Sequence, residues 1–239
     1  YALVHAHGDR YVNCSTTNRS TFTHRAALAV GFSFTIHFVR DGDSSREETM
    51  LQMMTLLIVW NVGQGQWVTL AREHSCEHYD AGGEFKPSSA NLKKYCGSKD
   101  NLVFFSHWDW DHIGLIQYLD LQLPRVCLAQ MPGGESNDAK MRMLKALPAC
   151  SKKVADNKML TSQDAKTANA NSHVFLTHQV LIPGDSPTSQ EKQWLHQLPQ
   201  PLTIQTLILG HHGSRTSTGF DLLNFLPNLK MAIASARSS

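Results

Sequence analysis

The densest concentration of reactive side chains is Ser106-His107-Trp108-Asp109-Trp110-Asp111-His112-Ile113-Gly114, directly after the apolar run Leu102 to Phe105. His107, Asp109, Asp111 and His112 offer imidazole nitrogen and carboxylate oxygen, the donors that divalent zinc, manganese or iron accept. Spaced as H-x-D-x-D-H where a strand gives way to a helix, they can converge on one pocket because the backbone curves there. An isolated His-x-Asp reads more naturally as a surface turn; the full cluster closing a buried strand does not. Two later groups occupy matching positions. The run Gln179 to Ile182 delivers Pro183-Gly184-Asp185, and the run Leu202 to Leu209 delivers Gly210-His211-His212-Gly213-Ser214. Glycines flanking a histidine pair permit a tight turn and close approach of backbone to a ligand. Pro-Gly-Asp alone is an ordinary turn, but between two donor clusters it reads as a further donor.

The elements that must position these groups follow from hydrophobic patterning. Thr55 to Val62 is a β-branched apolar run bounded by Gly63, and Gln66 to Ala71 with Cys76 to Tyr79 continue it as a meander. Asn101 to Phe105 is a buried strand, His112 to Leu119 a helix, Arg125 to Ala129 a strand and Asp138 to Leu147 a helix. Residues 151 to 172 are rich in Lys, Ser, Thr and Asn, with weak periodicity. His173 to Leu176 and Gln179 to Ile182 form a strand pair, after which Ser186 caps a helix whose first residue is Pro187. Leu202 to Leu209 is a strand, Asp221 to Leu226 a short helix and Lys230 to Ser235 the last strand. Hairpins followed by alternating strands and helices predict an α/β fold with packed sheets and helices outside. Residues 1–50 are polar and end in the charged run Arg40 to Glu48, so they read as an irregular leader or linker before a domain spanning 51–239.

Composition limits the alternatives. The chain has 239 residues, 41% hydrophobic and 18% charged, with a formal net charge of +2. A chain this long buries roughly 70% of its unfolded surface, so a metal site here is a working site before it is a structural staple. With 22 Lys and Arg against 20 Asp and Glu, neither a strongly basic DNA-coating protein nor an acidic tail fits. Five cysteines, at 14, 76, 96, 127 and 150, contain no Cys-x-x-Cys pair, which excludes a zinc ribbon or thioredoxin-type site. The apolar stretch Ala26 to Val39 falls short of the ~20 residues a membrane span needs.

Asn61-Val62-Gly63-Gln64-Gly65-Gln66, Tyr79-Asp80-Ala81-Gly82-Gly83, Ser106 to Gly114, Pro183-Gly184-Asp185 and Gly210 to Ser214 stand in the order found in metallo-β-lactamase-fold proteins. More narrowly, the set resembles the hydrolase domain of the ComEC family of DNA-uptake channels, over about Thr55 to Ser239. The resemblance implies an αβ/βα four-layer sandwich with metals at one edge. It makes His107, Asp109, Asp111 and His112 metal ligands, Asp185 a carboxylate bridging two divalent ions (Mn or Zn), and His211 or His212 a further ligand, with Asp80 in support. Asp111 would orient the nucleophile; the remaining histidine of the 211/212 pair, with Ser214 and Arg215, would contact phosphate or assist the leaving oxygen. The chain departs from the family at Gln66, usually acidic, and at Trp108 and Trp110, which replace smaller or polar residues. Relatives also continue into a further histidine-bearing segment, so the domain reads as truncated at its C-terminal end.

The function so implied is a metal-dependent phosphodiesterase or nuclease acting on DNA, single-stranded, during natural transformation. It would belong to a membrane channel protein and face the periplasm or exterior at the inner membrane. That compartment allows a disulfide, and Cys76 with Cys96 is one pairing the sequence leaves open. Hydrolysis of another phosphodiester, such as a phosphocholine ester, is the alternative enzyme; a catalytically silent DNA-binding or channel-associated module is the alternative from another class. Trp108 and Trp110 read first as packed side chains, and as base-stacking platforms only if exposed at the pocket rim. Lys93-Lys94 and Lys152-Lys153 read as solvated surface, and His78 and His173 as surface or satisfied core histidines.

Overall fold

A computed structural model describes residues 2–5, 28–34, 53–151, 157–161, 167–198 and 203–236. Among these residues, twelve strands build two six-stranded sheets. One holds, in spatial order, β2 (Leu28–Phe34), β3 (Met53–Val59), β4 (Val68–Ala71), β5 (Ser75–Tyr79), β6 (Asp100–Phe104) and β7 (Val126–Gln130). The other holds β1 (Ala2–His5), β12 (Met231–Ala234), β11 (Thr206–Ile208), β10 (Val180–Ile182), β9 (Val174–Thr177) and β8 (Asn157–Leu160). Both are mixed. Pairing is antiparallel from β2 to β5 and parallel from β5 to β7; it is parallel from β1 to β10 and antiparallel from β10 to β8.

The period-2 geometry of strands explains why these runs are apolar throughout. Leu57, Val59, Val68, Leu70, Leu102 and Phe104 pack against Phe175, Val180, Ile182, Ile208 and Ile233 in a core between the sheets. Their chain neighbours Ile58, Trp60, Trp67, Val103 and Phe105 face the other way. There they meet Leu92 and Cys96 of α1 (Ser89–Cys96), Ile116 and Leu119 of α3 (Ile116–Gln122) and Leu144 of α4 (Asp138–Lys145). Behind the second sheet, Leu181 and Leu207 pack on Trp194 and Leu195 of α5 (Thr188–Leu195) and Leu222 of α6 (Phe220–Phe225). The order helix, sheet, sheet, helix is the four-layer αβ/βα sandwich expected from the sequence. No helix among the described residues is long and apolar enough to cross a membrane.

Several local expectations are corrected. The helix expected over His112 to Leu119 is broken into α2 (Trp110–Ile113) and α3, because the Leu115 amide turns to Ala81 O, 2.8 Å away. Pro187 is the N-cap residue of α5 and not its first helical residue, and the Ser186 hydroxyl accepts from Trp194 Nε1 at 2.9 Å instead of capping. Residues 1–50 are not irregular throughout. β1 pairs in parallel with β12, and β2 runs antiparallel to β3 from Leu28↔Val59 to Phe34↔Met53. Leu-Ala-Val-Gly-Phe-Ser-Phe is strand-forming by composition, and an open sheet edge offers it unpaired backbone groups.

One buried histidine supplies a pH dependence. His78, fully buried on β5, accepts from Thr69 Oγ1 at 2.8 Å and Trp67 Nε1 at 3.3 Å through Nδ1, and its Nε2 donates to Asn101 Oδ1 at 3.1 Å. Burial pushes its pKa from 6.5 down to about 4, with the Asn101 bond opposing. As pH falls, the unfolded chain takes up this proton near 6.5 and the folded chain only near 4. Stability therefore declines across that window, by roughly 3 kcal/mol at its acid end. Urea titrations at pH 7 and pH 4.5 should show a lower midpoint in acid, with the His78 ring still neutral by NMR at pH 6. A ring titrating at its ordinary value would remove this contribution.

Candidate metal centre

Every donor singled out in the sequence follows a strand end. Asp80 follows β5, His107 follows β6, Asp185 follows β10 and the 211/212 pair follows β11. β5 and β6 run parallel in one sheet and β10 and β11 parallel in the other, so their carboxyl ends lie at one edge of the sandwich. This is where α/β sheets leave a crevice for ligands. The glycine motifs hold the ligand turn there: Gln66 N donates to Asp111 O at 2.9 Å and Ala81 N to His112 O at 2.7 Å. A side chain at Gly82 would collide with this turn, its Cβ only 2.3 Å from the Asp111 carbonyl carbon and His112 N.

Asp185, 2% exposed, sits at the centre of the donor set. Its Oδ1 lies 3.1 Å from His112 Nε2 and 3.8 Å from His212 Nε2. Its Oδ2 lies 3.8 Å from His107 Nε2 and 3.6 Å from His211 Nε2. Each set gains one more carboxylate: Asp111 Oδ2 is 3.2 Å from His212 Nε2, and Asp109 Oδ2 is 3.4 Å from His107 Nε2. Among the described residues, Asp111, His112, Asp185 and His212 offer ligand atoms that all lie within 4.8 Å of one another. Ser214 joins only at a distance, its hydroxyl 3.0 Å from Thr216 Oγ1, which in turn meets His211.

The outer nitrogens are all engaged. His112 Nδ1 donates to Asp80 Oδ2 at 2.7 Å; His107 Nδ1 meets Ser106 Oγ at 3.0 Å, and that hydroxyl donates to Asp80 Oδ2 at 2.7 Å. His212 Nδ1 donates to Ser235 O at 2.9 Å, and His211 Nδ1 meets Thr216 Oγ1 at 3.1 Å. With the proton on Nδ1, each Nε2 turns an unprotonated lone pair inward, the tautomer a metal ligand requires. His107 Nε2, His112 Nε2 and Asp185 Oδ1 are buried without hydrogen-bond partners, all facing the same space. Buried polar atoms of this kind call for a partner, and a divalent cation is one that fits the whole donor set.

Electrostatics agree. Burial works against charge on Asp185, yet the His112 ring beside it and the surrounding histidines hold its carboxyl well below the usual range. Burial is the largest influence on Asp111 and opposes its charge, but His212 and His112 together outweigh it and lower its pKa. The neighbouring His107 lowers Asp109. Burial opposes protonation of His112, and Asp80 and Asp185 together raise its pKa well above the ordinary value. A cation at this place supplies the positive charge these carboxylates otherwise draw from imidazolium. His211 and His212 both have left-handed backbones, φ +47° and +56°, at a cost of about 1–2 kcal/mol each. Strain of this kind gathers at functional sites.

Sequence reasoning did not assign the anchors Ser106, Thr216 and Ser235, nor Ser172, whose Oγ accepts from Asp185 N at 3.3 Å. Ser106 was visible inside the motif; the other three act from distant turns with no local signal. Gln66 fills its unusual place by donating from Nε2 to Asp80 Oδ2 at 2.9 Å. Asp80 thus accepts from Gln66, from Ser106 N and Oγ, and from His112. Asp80→Asn keeps the size and tolerates the left-handed backbone (φ +59°) while losing the charge that fixes His112. Metal affinity should fall about 10–100-fold by competition with a chromogenic chelator, the range seen when a ligand's supporting carboxylate is lost. Unchanged affinity would show that His112 is held without it.

A four-layer α/β sandwich carrying a His/Asp cluster at one sheet edge is a metallo-β-lactamase-like arrangement. No family model and no curated protein matches the chain. Among solved structures it is similar to one described as a new diphosphatase from the PhnP family, with a TM-score of 0.43 and 13% identity, covering 73% of this chain and 74% of that one.

Proposed function

We propose that the chain is a dinuclear-metal phosphodiesterase acting on DNA in single-stranded form. The observation that carries this reading is the division of donors about Asp185: His112 and His212 gather on Oδ1, with Asp111 beside His212, and His107 and His211 on Oδ2, with Asp109 beside His107. Each set would hold one divalent ion, Mn or Zn, and Asp185 would contribute to both. Both histidines of the 211/212 pair would then serve as ligands. When bound, such ions act as Lewis acids toward phosphoryl oxygens and lower the pKa of water toward ~7. Asp109 and Asp111 keep side-chain exposures of 43% and 34%, so they line the open side. There an Asp111 carboxylate oxygen would accept the proton of a water attacking phosphorus, as the bond from phosphorus to the leaving sugar oxygen breaks and that oxygen takes a proton from solvent. Asp80, through His112 Nδ1, and Ser106, through His107 Nδ1, keep the imidazoles aimed.

Placement at the outer face of the inner membrane, within a DNA-uptake channel, rests on the motif resemblance. Two disulfides agree with an oxidising compartment. The test is elemental analysis after Mn or Zn loading, beside cleavage of a single-stranded oligonucleotide and of glycerophosphocholine. About two ions per chain with oligonucleotide cleavage is expected. Cleavage of the choline ester alone would change the substrate, and a chain that takes up no metal would be a silent module.

A further inference from the structure

The two tryptophans of the ligand turn part company. Trp108 is 4% exposed and packs in the core beneath the site, its Nε1 donating to Gly134 O at 3.1 Å. Trp110, flanked in sequence by Asp109 and Asp111, is 56% exposed. An unbroken extended segment would put residues 108 and 110 on one face, but the backbone turns helical at Trp110, the first residue of α2, and its ring is left outside while Trp108 stays buried. The Lys140 ammonium of α4 lies 5.0 Å from the Trp110 ring centroid and also donates to Trp108 O. The Gly134 carbonyl that receives Trp108 belongs to the loop leading into α4, so the buried tryptophan also holds in place the helix that carries Lys140.

We infer that Trp110 and Lys140 form a substrate subsite that stacks one nucleobase of a single strand next to the scissile phosphodiester. This rests on the phosphodiesterase reading above and names what that site recognises. An exposed indole gives a flat apolar face that any base can cover, and an ammonium beside it meets the strand's negative backbone. The same ammonium selects against the alternative occupant. A quaternary ammonium such as choline also seeks an aromatic face, but here it would have to approach a ring already bearing a cation. A planar ring carrying phosphate suits both groups; a cationic headgroup suits only one.

The probes are a phosphorothioate-linked dT8 strand and an abasic strand of equal length and linkage, titrated by fluorescence anisotropy against the metal-loaded chain. The wild type should bind dT8 about tenfold more tightly than the abasic strand, the order that one stacked base contributes. Trp110→Ala should bring that ratio to near one with bound metal unchanged, and Trp110→Phe should restore most of it. Lys140→Ala should weaken both strands alike and flatten the salt dependence. Equal binding of the two strands by the wild type, or a ratio that survives Trp110→Ala, overturns the subsite. So does tighter binding of glycerophosphocholine than of dT8. Loss of the ratio's tryptophan dependence with two ions bound refutes only the subsite; failure to bind metal or cleave any diester refutes the phosphodiesterase reading.

Discussion

Replacing Asp185 by asparagine is expected to lower the metal content from about two ions per chain to one or fewer and to reduce diester hydrolysis on the order of 10³-fold, about 4 kcal/mol of transition-state stabilisation. The substitution is isosteric, so the loss reports chemistry and not packing. An amide keeps one oxygen and replaces the other by an NH₂ donor. Whichever way it turns, either the His112, His212 and Asp111 set or the His107, His211 and Asp109 set loses its oxygen and meets hydrogens instead. The frame survives, because Ser172 Oγ still receives the backbone amide at 3.3 Å and the Gly184 turn (φ +59°) is unaltered. The effect should exceed that of Asp80→Asn, which touches one imidazole directly and a second only through Ser106. Elemental analysis and single-turnover cleavage check it together. An asparagine variant that holds both ions and cleaves within roughly tenfold of the wild type would show that no carboxylate is shared.

What the sequence disclosed of this site was the part written in local spacing. H-x-D-x-D-H, Pro-Gly-Asp and Gly-His-His-Gly each close an apolar run, and strand ends are where parallel sheets present side chains to a common edge. The runs themselves were legible because strands buried on both faces are apolar without interruption, as Leu57 to Trp60 are. Three kinds of feature were not. Groups acting across the fold, such as Ser235 O on His212 Nδ1, share no local pattern with their partners. α1 carries only Leu92 and Cys96 as buried residues, one turn apart, too few to set a helical period. The opposite fates of Trp108 and Trp110 depend on where the turn enters the core, and composition treats the two rings alike. The Cys76–Cys96 pairing that the sequence left open is formed; Cys127–Cys150 is a second bond it did not indicate, while Cys14 lies outside the described residues.

Reduction of both disulfides should bring the chain close to its unfolding threshold. The bonds close sequence separations of 20 and 23 residues. Loops of that size are worth roughly 3 kcal/mol each through the entropy they remove from the unfolded chain. Together they amount to about 6 kcal/mol against a total of about 5–15 for a typical domain. The two bonds differ in access. Cys76 and Cys96 are wholly buried between β5 and α1, whereas Cys127 and Cys150 are partly exposed at the side of β7. Mass spectrometry should therefore find Cys127–Cys150 reduced first, and the urea midpoint should fall by roughly 2 M once both are open. Metal binding should follow the second bond and not the first. Cys76 lies on β5, whose end carries Asp80, and Cys96 O accepts from the Asn101 amide at 3.3 Å, the residue that also receives His78. Opening that bond loosens the strand that aims His112. A fully reduced chain with an unchanged midpoint would show that the core holds β5 in place without the covalent link.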